Sequence, residues 1–116
     1  MTTVAEIVAA LRPLRLPLSD EIRLHQHMAD AFDSAGIGYQ REVRLSPRDR
    51  VDFLVGTVGI EVKIKGGKRD IFRQLERYAE HDGVGALLLV SNVPMGLPPT
   101  INGKPVTYFS LARAWL

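Results

Sequence analysis

Asp52, Glu61 and Lys63 are the residues whose types and spacing suit phosphate chemistry. They fall in the stretch Val51 to Lys65, VDFLVGTVGIEVKIK, which reads as two strands joined by a glycine-bounded turn at Gly56 to Gly59. Strand side chains alternate between faces. Ile60, Val62 and Ile64 therefore point one way, and Glu61, Lys63 and Lys65 the other. On the first strand, Asp52 is expected to share a face with Leu54, opposite Val51, Phe53 and Val55. Closing the turn brings Asp52 near Glu61 and Lys63. Two neighbouring carboxylates repel and favour a proton or a cation between them. Their oxygens suit a hard ion such as Mg2+, which also takes phosphate oxygens. Lys63 would orient a water or steady the extra charge of a transition state. An amphipathic hairpin with a wetted polar face would use the same letters.

Positioning these groups falls to the elements around them. Met1 to Arg12 reads as a helix, with Thr3 and Glu6 at capping-box spacing and Val4, Ile7, Val8 and Leu11 on one face. Pro13 ends it. Ser19 is the expected N-cap of a second helix, with Asp20 and Glu21 in its first turn and Gly36 as its stop. Ile22, Met28, Ala29 and Phe32 supply its apolar positions. Glu21 heads a stripe through His25, Met28 and Phe32, where it either offsets the helix dipole or aims a third acid at the hairpin. His25 is expected to be partly buried or to touch phosphate, and His27 does not share its face.

Gly38 to Leu45 reads as a strand with Tyr39, Arg41, Val43 and Leu45 on one face, followed by an exposed turn, SPRDR. After Gly66 and Gly67 comes a helix from Asp70 to Asp82, with Ile71, Leu75, Tyr78 and Ala79 inward and Arg69, Arg73, Arg77 and Glu80 on a charged face. The run KIKGGKR, Lys63 to Arg69, concentrates four basic residues beside the acidic patch. Ala86 to Val90, ALLLV, is a strand covered on both sides, and the helix before it allows a parallel crossover from the hairpin. Asn92 to Pro99 is a loop, Asn102-Gly103 a tight turn and Val106 to Phe109 a short strand. Ser110 is expected to cap a terminal helix over Leu111 to Leu116, with Trp115 as core lid or dimer contact.

One domain accounts for 116 residues. The absence of cysteine excludes disulfides and a thiolate zinc site, and it fits a cytoplasmic location. No apolar run approaches the 18 residues of a membrane span, and the first residues lack the pattern of a signal peptide. The formal net charge is only +2, so a nucleic-acid partner would be held by where the charges sit rather than by their sum.

Val51-Asp52, Glu61-Val62-Lys63 and Gln74-Leu75-Glu76-Arg77-Tyr78, in that order, resemble the PD-(D/E)xK, or restriction-endonuclease-like, nuclease superfamily. The resemblance covers roughly Ser19 to Ser91, and Val51 departs from it where a proline is usual. It implies an α/β fold with an αβββαβ core, a mixed sheet flanked by helices, here with an extra N-terminal helix and a C-terminal strand and helix. The implied activity is that of a Mg2+- or Mn2+-dependent deoxyribonuclease, an endonuclease of structure-selective or weak sequence preference. The resemblance assigns Asp52, Glu61 and the Val62 carbonyl to the metal and Glu21 to a second ion or a bound water. Lys63 would position the attacking water, and Gln74 would bond near Lys63 or a phosphate. Lys65, Lys68, Arg69, Arg73 and Tyr78 are the implied DNA contacts. A homodimer acting on DNA, branched DNA included, is the implied assembly. The alternative is a non-catalytic nucleic-acid-binding or assembly module on the same fold, or a subunit of a larger complex.

Overall fold

A computed structural model describes residues 1–112 of the chain. Its architecture is α/β: three helices and a six-stranded mixed sheet of order β1-β2-β3-β4-β6-β5. Helix α1, Val4–Leu11, starts at the expected capping box, in which Thr3 Oγ1 accepts from Glu6 N and the Glu6 carboxylate accepts from Thr3 N. Helix α2, Glu21–Ala35, is capped by Asp20 rather than Ser19. Asp20 Oδ1 accepts from the amides of Ile22 at 3.0 Å and Arg23 at 3.3 Å. Gly36 closes α2 at φ +70°, where a Cβ would be strained. Leu24, Met28, Ala29 and Phe32 form the buried stripe of α2. Ile22, expected inside, is 81% exposed. The inward positions run 24, 28 and 32, and Ile22 points away from them.

Strands β1, Gln40–Arg44, β2, Arg50–Val55, and β3, Val58–Lys63, form an antiparallel meander. The hairpin between β2 and β3 closes on Gly56 and Thr57, with Gly56 at φ +59° supplying the positive dihedral that a two-residue loop needs. Helix α3, Lys68–Ala79, then crosses over to β4, Ala86–Ser91, which pairs parallel with β3 from Val58↔Ala86 to Lys63↔Ser91. The parallel pairing expected from the sequence is therefore present. The Asn102-Gly103 turn joins a two-residue β5, Thr100–Ile101, to β6, Lys104–Ser110, which pairs parallel with β4. Ser110 is the last residue of β6, paired with Ser91, and not a helix cap. The helix expected over 111–116, and Trp115 with it, falls largely outside the described residues.

The sheet separates two apolar layers. On one side α1 and α2 pack on Phe53, Val55, Val58, Ile60, Val62, Leu88 and Val90. On the other, Ile71, Leu75, Tyr78 and Ala79 of α3 pack on Val51, Leu87 and Leu89. Val51 and Phe53 thus face opposite layers, although strict alternation puts them together. The same reversal runs through β1: Arg41 lies over the Phe53 ring, while Val43 packs with the α3 layer. The pairs Arg41↔Phe53 and Val43↔Val51 keep register on either side of the reversal, and between them Glu42 takes φ +51°. Both strands turn over together at Glu42 and Asp52, which corrects the single-face reading of each.

A second correction concerns the SPRDR turn. Asp49 is buried within it, and its carboxylate accepts from Arg77 Nε at 3.0 Å and bonds His81 Nε2 at 3.2 Å. Burial raises the Asp49 carboxyl, but the Arg77 and His81 hydrogen bonds outweigh it and hold the group below its ordinary value. Arg77 is accordingly a clasp between α3 and this turn rather than part of a solvated face. Among the described residues, no helix is long and apolar enough to cross a membrane.

Candidate active site

The reversal at Asp52 builds the site. The β2–β3 ladder runs through Val55↔Val58, Leu54↔Gly59 and Phe53↔Ile60, and then stops. The next pair in that register would be Asp52 and Glu61. Instead the strands part, and Asp52 Oδ2 accepts the Val62 amide at 2.8 Å. A side chain thereby takes a backbone donor that the ladder would otherwise satisfy. The bond fixes Asp52 in the gap between the strands, where its carboxylate reaches towards both layers.

Glu61 and Lys63 lie on the α3 face of β3, as the alternation predicts. Lys63 Nζ stands 3.1 Å from Glu61 Oε2. Glu61 Oε1 meets the Tyr78 hydroxyl at 3.2 Å, and that hydroxyl also faces Arg50 O at 2.8 Å. Gln74 Nε2 donates to the same Tyr78 oxygen at 2.6 Å. One hydroxyl proton serves either Arg50 or Glu61 at a time, so Tyr78 is a switchable partner for the glutamate. Gln74, expected near Lys63 or a phosphate, bonds Tyr78. Tyr78 itself, expected as a DNA contact, is fully buried and stands behind Glu61. Ser91, absent from the residues that the sequence pattern singles out, buttresses the far side: its Oγ donates to Lys63 O at 2.6 Å and accepts from Val93 N at 2.9 Å. A serine directly after the apolar run ALLLV was the available signal.

Electrostatics follow from burial. Glu61 is 3% exposed. Burial first and the Asp52 charge second raise its carboxyl to about 7, against the pull of Lys63 and Tyr78. Burial also raises Asp52, with the Val62 amide, His25 and Lys63 acting in the other direction. Tyr78 is raised by burial and by the Glu61 charge beside it. A buried carboxylate and a half-buried one with one neighbouring ammonium leave an excess of negative charge, which a cation or a proton relieves.

Helix α2 brings two more groups towards Asp52. Glu21, at its first turn, is exposed and contributes only a weak upward push on the Asp52 carboxyl. His25, one turn further, places Nε2 at 3.6 Å from Asp52 Oδ2. Among the described residues, no three of His, Cys, Asp and Glu converge tightly enough to enclose an ion by themselves. Lys65, Lys68, Arg69 and Arg73 are all exposed, on the segment between β3 and α3 and on the first turns of α3. Strand β3 ends at Lys63, so Lys65 belongs to this connecting segment rather than to the strand face. A cavity of about 1070 Å³ between Arg12, Asn92, Tyr108 and Ala112 is lined by none of these groups.

No protein-family model matches the chain, and no curated protein or solved structure is found to be similar to it.

Proposed function

We propose that this protein is a Mg2+- or Mn2+-dependent deoxyribonuclease on a restriction-endonuclease-like core, cutting DNA internally with structure selectivity or weak sequence preference. The observation that carries the reading is the parting of β2 from β3 at Asp52, which leaves that carboxylate within charge range of Glu61 and Lys63 between two inner strands of the sheet. The order αβββαβ and the parallel return of β4 support it.

The residues present fit a divalent cation. Burial raises both carboxylates, the Asp52 charge raises Glu61 further, one ammonium offsets only part of their charge, and a buried imidazole nitrogen beside Asp52 has no hydrogen-bond partner. Asp52, Glu61 and the Val62 carbonyl would hold the ion, with Glu21 acting further out on a bound water. A bound Mg2+ or Mn2+ would supply Lewis-acid charge at the scissile phosphate and lower the pKa of a water.

The chain does the rest. Lys63, released from Glu61 once that carboxylate has another partner, would hold the attacking water by hydrogen bond. Tyr78 and Gln74 would keep Glu61 in place through the exchange. Lys65, Lys68, Arg69 and Arg73 would hold the DNA backbone, which gives affinity without sequence information. Two copies of the chain would place two such sites on opposite strands.

The test incubates linear duplex, flap, four-way-junction and single-stranded DNA with Mg2+, Mn2+ or EDTA. Metal-dependent cutting of at least one substrate is expected. Lys63→Ala should abolish it and leave binding intact. Asp52→Asn should also abolish it, with equal or tighter binding because a repulsive charge is gone while an oxygen remains for Val62 N. Salt-sensitive binding with no cutting under any metal would replace this reading with a non-catalytic binding module.

A further inference from the structure

We propose that the cavity between α1 and the ends of β4 and β6 binds a free nucleoside monophosphate whose base carries an exocyclic amino group, with Arg12 and Arg15 on the phosphate and Asn92 Oδ1 on the amino group. The inference stands apart from the nuclease reading, because no residue of that site lines this cavity.

The cavity lies where α/β sheets take ligands, at the carboxyl ends of parallel strands. Strands β4 and β6 pair side by side and end at Ser91 and Ser110. Asn92, directly after β4, and Ser110 both line the cavity. Arg12, the C-cap of α1, lines it as well, and Arg15 follows after the turn at Pro13. Its volume of about 1070 Å³ leaves ample room for a nucleotide.

Charge sets the sign of the ligand. Two guanidiniums line the cavity, and no acidic side chain is among the described residues that do. Arg12 forms no ion pair among the described residues. A guanidinium takes two phosphate oxygens at once, and two of them match the charge of a phosphate monoester near neutral pH.

Asn92 supplies the other end. Its Oδ1 is buried and has no hydrogen-bond partner. The backbone around it is held on both sides: Val93 N donates to Ser91 Oγ at 2.9 Å, and the Tyr108 hydroxyl donates to Val93 O at 2.6 Å. A fixed, buried acceptor left unpaired is costly, so a donor belongs there. A water would satisfy Asn92 alone and bring no counter-charge to Arg12. A base with an amino group, carried by a phosphate, does both. Val8, Met95 and Phe109 offer the ring apolar surface. Val8 and Phe109 belong to the α1 layer, whereas the basic run from Lys65 to Arg73 leads into α3. The ligand is therefore a free nucleotide rather than a strand held on that run.

The test is titration calorimetry of the full chain in EDTA with AMP, IMP, CMP, UMP and inorganic phosphate. AMP and CMP should bind at least about 10-fold more tightly than IMP and UMP, which carry an oxo group in place of the amino group. Arg12→Gln should weaken AMP binding at least about 10-fold. Asn92→Leu should remove the preference for AMP over IMP, and Lys68→Gln should change neither. In NMR spectra of the wild type, AMP should shift the Asn92 side-chain amide, and this decides alone should Asn92→Leu fail to fold. No nucleotide binding at millimolar concentration overturns the proposal, as does inorganic phosphate binding as tightly as AMP. Binding lost in Lys68→Gln but kept in Arg12→Gln overturns it by moving the nucleotide to the basic run. Binding of a 5′-phosphorylated oligonucleotide through Arg12, without binding of AMP, makes the ligand a strand end and overturns the free nucleotide.

Discussion

Glu61 carries the most informative chemistry of any single residue. Its carboxyl is raised from an ordinary 4.5 to about 7, by burial and then by the Asp52 charge. The folded chain therefore binds this proton more tightly than the unfolded chain. Stability from this group is complete below about pH 4.5 and is lost as pH rises through about 7. At 1.36 kcal/mol per unit the loss is on the order of 3 kcal/mol. Glu61→Gln keeps the shape and removes the charge. Its melting temperature should match the wild type near pH 5 and exceed it by several degrees near pH 8, in buffers free of divalent cations. Adding Mn2+ at pH 8 should raise the wild-type melting temperature and leave the variant nearly unmoved. Equal pH profiles for the two proteins would show that Glu61 is not the strained acid described above.

At the scale of elements, the reversal shared by β1 and β2 is what turns an ordinary hairpin into a site. Its cost is visible at Glu42, an exposed residue at φ +51°. A non-glycine residue in that region carries strain of about 1 kcal/mol, and glycine would not. Glu42→Gly should therefore leave stability unchanged or raise it by up to about 1 kcal/mol in urea denaturation, where a glycine placed within a regular strand would lower it. A loss of more than 1 kcal/mol would mean that the Glu42 side chain, not its backbone, holds the turn-over. This element also marks the boundary of what the sequence could tell. The hairpin, α3 and β4 were legible because glycines, a 3.6-residue period and a short apolar run each report locally. The positive dihedral at Glu42 leaves no trace in a period-two pattern, which puts Val51 and Phe53 on one face. Nothing local marks Asp49 as buried, because its partners Arg77 and His81 lie 28 and 32 residues away. Asp52, Glu61 and Lys63 could be named from their letters, but the reason Asp52 meets Val62 N instead of pairing with Glu61 is a three-dimensional one.

Over the whole molecule, 15 basic and 13 acidic side chains nearly cancel. Long-range attraction to DNA would then be weak, and the proposed binding would depend on local concentration of charge. The structure has such a concentration: Lys65, Lys68, Arg69 and Arg73 are exposed along one connection and one helix start, adjacent to Lys63. Each phosphate contact contributes about −0.9 to the slope of log K against log salt for duplex DNA. The double variant Lys68→Gln, Arg69→Gln should thus flatten the slope by nearly 2 for each chain bound and weaken binding to every sequence alike. Arg12→Gln, at the C-cap of α1 on the other layer of the sheet, should leave the slope unchanged. Light scattering during the same titration reports the proposed dimer as twice 12.9 kDa. A dimer should double the number of contacts released per complex, so the wild-type slope should then approach −7 for four contacts per chain. A slope that Arg12→Gln flattens as much as the double variant would place the DNA on the α1 layer, away from Asp52 and Glu61.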